Sequence, residues 1–372
     1  MSSRSAIAAN LALLGFIGFC AWLNAAHPHL YYVAAQEDQA LEWASFWSFF
    51  IAGVVFLVAA LRQRRETGAI PWFLAGLALF CVFVAMEEIS WAQRLFGYRP
   101  PDYFLTENYQ QEITLHNIAG RRLRMIVFRG IILGYGVVLP LLAMVPGPRQ
   151  LLERAAIVVP PLALGPSMFA IFWLHAEYPW KFTGEIAECA LGFAFLFAAM
   201  ANAAEFEETR SPATLWRIAG LPAVVVGLGV LTAQWSQTRQ ASNPELLEHA
   251  RAEAQALAED LVALAEASGK KAVSRCNLHK RLYTFVHDYD LGDELSKGAF
   301  AKRIELGMPE ARAKFFLDPW NYAYWIRDRC DGDNDWRTIF IYSFGPNRSR
   351  DSSRWRVKGD DIGAYVLRVS ER

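Results

Sequence analysis

The chain has 372 residues, with 37 basic and 37 acidic side chains and a hydrophobic fraction of 54%. The zero formal net charge removes the basic footprint of a nucleic-acid binder. The apolar fraction exceeds the roughly 45–50% of soluble domains, and it is unevenly spread. Residues 1–235 are almost all apolar runs, whereas 236–372 read as an ordinary charged domain.

A helix needs about 20 apolar residues to cross a bilayer core. Runs at 5–26, 43–61, 69–88, 125–146, 155–175, 185–204 and 214–235 approach that length. They predict an all-α membrane bundle of about seven transmembrane helices over residues 1–238. The first run lacks the strongly basic start of a signal peptide, and six more follow it. Basic residues flanking the runs set the orientation. Arg4, Arg62, Arg64, Arg65, Arg149, Arg154, Arg210 and Arg217 fall on one side, taken as the cytoplasm. Arg94, Arg99, Arg121 and Arg122 fall on the other. The balance favours a cytoplasmic N-terminus, and seven crossings then leave residues 239–372 in a bacterial periplasm.

With that topology the unusual polar residues gather at the outer side. Glu37, Asp38 and Glu42 precede the second run, and Glu87 and Glu88 end the third. The following 89–122 loop holds Arg94, Glu107, Glu112, His116 and Asn117. His175 and Glu177 close the fifth run, and Glu185 and Glu188 open the sixth. Ionisable groups at membrane depth are costly and usually face a protein interior or wet cavity. If helical, Glu87, Trp91 and Arg94 share a face, Glu112 lies one turn before His116, and Glu185 and Glu188 also share a face. Carboxylates with imidazoles suit a divalent metal that activates water, with Glu87, Glu88, Arg94 and Glu112 as catalytic partners and His116, His175, Glu185 and Glu188 as ligands. Structural pairing, helix-dipole compensation or a transport cavity account for the same residues.

The stretch VAMEEISWAQRLFG (Val84 to Gly97), then ENYQQEITLHNI (Glu107 to Ile118) and EDQALEW (Glu37 to Trp43), resembles a family of bacterial polytopic membrane proteins with a Glu-Glu-Ile-Ser-Trp-Gly-Gln-Arg motif. The resemblance covers roughly residues 30–205 and implies no activity. Ala92 stands where that family usually has Gly.

In the soluble part, Asn243 and Pro244 predict a helix start over Glu245 to Ala267, with Leu246, Leu257, Leu261 and Leu264 near helical period. A second helix is expected at 276–289. Alternation at Tyr322–Ile326 and Thr338–Tyr342 predicts two antiparallel strands joined by the Asp331–Asp335 turn, and Ile362–Leu367 one more strand. Cys20, Cys81 and Cys189 lie in apolar runs as small hydrophobes. Cys276 and Cys330 have no metal-type spacing, and their pairing depends on the compartment.

DPWNYAYWIRD (Asp318 to Asp328), IYSFGPN (Ile341 to Asn347) and GDDI (Gly359 to Ile362) resemble the C-terminal domain of the major pseudopilin of type II secretion. That resemblance implies an α+β fold, a long helix packed on a small antiparallel sheet, and a calcium-binding late loop. Carried over, Ser343, Asn347 and Asp361 match ligand-loop positions, with Asp351 and Asp360 as further oxygen donors of the kind calcium uses. The loop here is also rich in arginine (Arg348, Arg350, Arg354, Arg356), which opposes a cation. Seven spans in place of a leader and one filament helix exclude an ordinary filament subunit, and a fold does not carry its function with it. Three readings stay open. The first is a membrane protein of unknown activity whose periplasmic domain binds a protein or envelope partner. The second is a membrane-embedded metal-dependent hydrolase acting on a lipid or another envelope substrate. The third is a transporter.

Overall fold

The computed structural model describes residues 3–36, 38–96, 100–101, 103–104, 108, 112–119, 121–202, 212–241, 243–268, 318–320, 324–327, 336–347, 350–352 and 357–370. Glu37, Glu107, the expected helix at 276–289, Cys276, Cys330 and the Asp331–Asp335 turn lie outside these residues. The chain forms two compact units, Met1–Ile89 with Ala119–Gln234, and Ser90–Ile118 with Trp235–Arg372. Residues 90–118 group with the C-terminal part in this division.

Among the described residues of the first unit, the regular elements are helices. Its helices are α1 (Ser3–Ala26), α2 (Pro28–Ala34), α3 (Ala40–Thr67) and α4 (Trp72–Glu88). Between the units' shared chain crossings lie α5 (Gln93–Phe96) and α6 (Leu115–Ile118), which belong to the second unit. The first unit resumes with α7 (Arg121–Leu133), a π-helical turn at Gly134–Val138, α8 (Leu139–Leu142) and α9 (Pro146–Arg154). Then come α10 (Gly165–Glu177), α11 (Thr183–Asn202) and α12 (Pro212–Ala241).

Five helical stretches are long and apolar enough to cross a membrane: Ser5–Ala26, Ala40–Thr67, Arg122–Leu142, Thr183–Asn202 and Trp216–Ala241. The chain is membrane-associated. Helix is the form such runs must take, because lipid offers no partner to backbone N–H and C=O groups. The other two expected spans are shorter. Helix α4 has 17 residues, about 25 Å at 1.5 Å per residue. The fifth begins at a 3-10 turn, Leu162–Leu164, and α10 adds 13 residues, because Pro160 and Pro161 delay regular helix. The π turn at Gly134–Val138 precedes Pro140, whose missing N–H disturbs the regular ladder.

Helices α3, α4 and α11 make the core of this unit. Phe49, Phe56, Phe193, Phe195 and Phe197 are fully buried there. A Cβ on Gly192 would run into the Ser48 hydroxyl, so glycine lets α11 lie against α3, as small residues do between membrane helices. The Trp47 indole donates to Thr232 Oγ1 at 2.9 Å and ties α12 to α3. Ser167 Oγ donates to Asn10 Oδ1 at 2.6 Å and ties α10 to α1. Leu11, Trp22, Ile126, Val224 and Leu231 point outward, an apolar exterior suited to lipid contact.

In the second unit, α13 (Pro244–Ser268) begins where Asn243 Oδ1 accepts the Glu245 N–H at 3.1 Å, a side-chain cap of an orphan helix donor. Three strands, β1 (Trp325–Arg327), β2 (Trp336–Ser343) and β3 (Ile362–Ser370), form an antiparallel sheet in the order β1-β2-β3. Ile341 pairs with Ile326 on one side and Tyr365 on the other. Helix α13 packs on this sheet through Ala250, Trp320 and Ile362, with Leu246 and Leu247 against them. Tyr324 Oη donates to Ala250 O at 3.2 Å and Glu253 Oε2 at 2.8 Å, fixing the helix to the start of β1. The described residues here thus form one helix on a small antiparallel sheet.

Candidate functional site

The expected polar constellation divides between the two units. In the first, Glu88 at the end of α4 faces the buried Ser45 hydroxyl on α3 and interacts with Glu188, Glu42 and Glu87. These four carboxylates come from α3, α4 and α11. Glu185 opens α11 one turn earlier and interacts with Tyr31 and Tyr178. His175 lies elsewhere in its contacts. Its Nδ1 accepts from Arg129 Nε at 3.4 Å, and its ring stacks on Phe128 at 4.4 Å. A nitrogen held by a guanidinium is a poor metal ligand.

In the 90–118 segment the helical spacing assumed from sequence does not hold. Helix α4 stops at Glu88, and Ser90, Trp91 and Ala92 have φ of 48°, 55° and 62°. Three successive non-glycine residues in the left-handed region turn the chain sharply, at roughly 1–2 kcal/mol each. Glu87, Trp91 and Arg94 therefore do not share a helical face, and the Arg94 side chain lies outside the described residues. Glu112 sits in a bend before α6, buried, while His116 on α6 is exposed. Ser90 Oγ donates to Glu112 Oε2 at 2.7 Å. Asn108 Nδ2 donates to Glu112 O, Thr114 O and Thr114 Oγ1 at 2.6, 3.0 and 2.8 Å. Gln93 Oε1 accepts the Ile113 N–H at 2.9 Å. Ser90, Gln93, Asn108, Glu112 and Thr114 are all buried. They form a polar knot whose visible bonds offset the strain of the turn.

Among the described residues, one group of three or more His, Cys, Asp or Glu side chains converges as metal ligands do. Asp351, Asp360 and Asp361 each offer an oxygen within 4.8 Å of the others. They flank the connection from β2 to β3. Asp361 directly precedes β3, and its Oδ2 accepts the Ser352 N–H at 2.8 Å. Asp360 Oδ2 accepts the Asn347 N–H at 3.0 Å, and Asn347 Nδ2 donates to Asp351 Oδ2 at 3.0 Å. The other oxygens, Asp360 Oδ1 and Asp361 Oδ1, are buried without a hydrogen-bond partner. Burial and the neighbouring Asp351 push the Asp360 carboxyl up to about 6. Burial raises Asp361 as well.

Two orphaned carboxylate oxygens in a three-carboxylate cluster fit a hard cation with oxygen ligands. Gly359, at φ 62°, is required here, because a Cβ would lie 2.5 Å from Asp351 Cγ. Ser343, included from the resemblance, has another task. Its hydroxyl donates to Asp318 Oδ2 at 2.6 Å and accepts the Gly345 N–H at 2.9 Å. Asp318 Oδ1 in turn accepts the Trp320 N–H at 3.0 Å, which locks the turn before β1 to the end of β2. Arg350, one of the opposing cations, lies over the Trp325 ring at 5.3 Å. Arg348, Arg354 and Arg356 lie outside the described residues. Sequence reasoning missed the Asp318 lock and the approach of Glu42 to Glu88. The first shows only as an Asp-Pro-Trp turn, and the second needs the α3–α4 packing.

No known protein family, no curated protein and no solved structure matches the chain.

Proposed function

We propose that this chain is a polytopic inner-membrane protein of a bacterium that holds a calcium-binding, pseudopilin-like domain in the periplasm, where the domain docks a protein or other envelope partner. The carrying observation is the Asp351–Asp360–Asp361 cluster with its two buried, unpartnered oxygens. A bound cation neutralises three crowded carboxylates and joins the β2–β3 connection to the base of β3. That stiffens an exposed loop, which is what a docking surface needs. The five long spans, with α4 and the Leu162–Glu177 segment as two shorter ones, give seven crossings. With the N-terminus cytoplasmic, the C-terminal domain then lies outside.

Calorimetric titration of calcium into the full-length protein in detergent tests this reading. It predicts one site, in the range of about 10⁻⁴–10⁻³ M typical of extracellular modules, lost in Asp361→Asn with the helix content unchanged. Absence of binding, or wild-type binding by Asp361→Asn, contradicts it. Crosslinking in membranes with and without calcium then identifies the partner.

One observation favours a second reading, a divalent-metal hydrolase within the membrane. Glu88 interacts with Glu42, Glu87 and Glu188, carboxylates borne on three helices, and charge at that depth is costly. Elemental analysis of the purified protein checks it. A transition metal lost in Glu88→Gln with Glu188→Gln supports it, and a metal-free wild type removes it.

A further inference from the structure

A cleft of about 800 Å³ opens at the C-terminal end of α3, within the usual range of roughly 300–1,000 Å³ for ligand sites. Its apolar wall is Val54 and Val58 on α3, Leu74 on α4, and Val158. Val54 and Val58 are 42% and 58% exposed although they lie within a membrane-crossing helix. Its polar end is formed by Arg62 and Arg65, both exposed and making no ion pair with any described residue. A helix C-terminus favours cations generally, which accounts for Arg62, Arg64 and Arg65 together. It does not account for two of them lining one cavity whose other half is hydrocarbon.

We infer that this cleft binds an anionic phospholipid, with one acyl chain along Val54 and Val58 and the phosphate held by Arg62 and Arg65. The split between apolar wall and paired cations matches the two halves of such a lipid. It also lies at the end of a membrane-crossing helix, where headgroups lie. Basic pockets between membrane helices bind anionic headgroups for the same electrostatic reason. Glu66 also lines the cleft and opposes the ligand, so the site's net charge is +1 rather than +2, and removing that carboxylate tightens binding. The inference rests on the membrane helices alone and is independent of the C-terminal domain's ligand.

Native mass spectrometry of the full-length protein, titrated with phosphatidylglycerol and with zwitterionic phosphatidylcholine, reads the preference directly. Each basic side chain near an anionic headgroup contributes about fivefold. The wild type is expected to prefer phosphatidylglycerol by at least fivefold. Arg62→Gln with Arg65→Gln brings the ratio close to unity, and Glu66→Gln raises it. Arg64→Gln, which removes an equal charge from the same turn but does not line the cleft, leaves it unchanged. Val58→Trp fills the apolar half and reduces retention of both lipids with the arginines intact. These side chains are exposed, so the variants keep the wild-type circular dichroism spectrum. A wild-type ratio near unity overturns the inference, as does an equal loss in Arg64→Gln, which would show surface charge alone. Displacement of the lipid by millimolar inorganic phosphate overturns it too.

Discussion

Asp351 and Asp360 present carboxylate oxygens within 4.8 Å of each other, and burial together with this neighbour pushes the Asp360 carboxyl up to about 6. An unfolded aspartate titrates near 3.8. Between these values the folded state holds a proton that the unfolded state has released. Without a cation, stability is therefore highest below pH 4 as far as this group is concerned, and falls as pH rises through 6. Calcium needs the deprotonated carboxylates, so its stabilisation grows over the same interval. Thermal melts with chelator and with calcium, from pH 4 to pH 7.5, should diverge progressively above pH 5. Asp360→Asn should flatten the chelator series and shrink the calcium effect. Parallel curves would count against the coupling.

Gly359 lets the Asp351 carboxylate lie against its Cα at φ 62°. Gly359→Ala adds both a strained backbone and a clash with a proposed ligand. It should cost about 1–2 kcal/mol of stability and reduce calcium affinity at least tenfold. Calorimetry on the variant checks this, and wild-type affinity would show that Asp351 is not a ligand.

Tyr324 is buried, and its hydroxyl serves both Ala250 O and Glu253 Oε2. Burial raises its pKa well above the ordinary value, so it stays a donor at any working pH. Tyr324→Phe leaves a helix carbonyl and a carboxylate short of a partner. The expected loss is about 1–3 kcal/mol, read as a lower denaturant midpoint for the C-terminal unit by tryptophan fluorescence. An unchanged midpoint would mean that α13 is held by its apolar contacts alone.

Ser90 joins a left-handed turn to the buried Glu112. Removing the hydroxyl in Ser90→Ala takes one donor from a buried acceptor, at about 1–3 kcal/mol. The strained turn then opens more often. Limited trypsin digestion should cut faster after Arg94, and a digestion rate equal to wild type would argue against this bond holding the segment.

The long helices were legible because their signals are local. Uninterrupted apolar runs give Ala40–Thr67 and Thr183–Asn202, and Asn243-Pro244 marks the start of α13. The carboxylates of the late loop were legible as oxygen donors close in sequence. The break after Glu88 was not. Ser90, Trp91 and Ala92 carry no glycine to announce positive φ, and the polar knot that holds them comes from 18 or more residues downstream. His175 was misleading for a similar reason, since its partner Arg129 is 46 residues away. Ser343 looked like a ligand because oxygen donors follow it closely in sequence, while its hydroxyl answers to Asp318, 25 residues earlier.

Which side of the membrane receives the C-terminal domain is decisive, since a weak calcium site is filled only outside the cytoplasm. A paired reporter fused after Arg372, alkaline phosphatase in one version and a cytoplasm-dependent fluorescent protein in the other, measures that directly. Phosphatase activity without fluorescence is the predicted result. Fluorescence without phosphatase activity would contradict the seven-crossing arrangement and, with it, the periplasmic calcium-dependent docking domain.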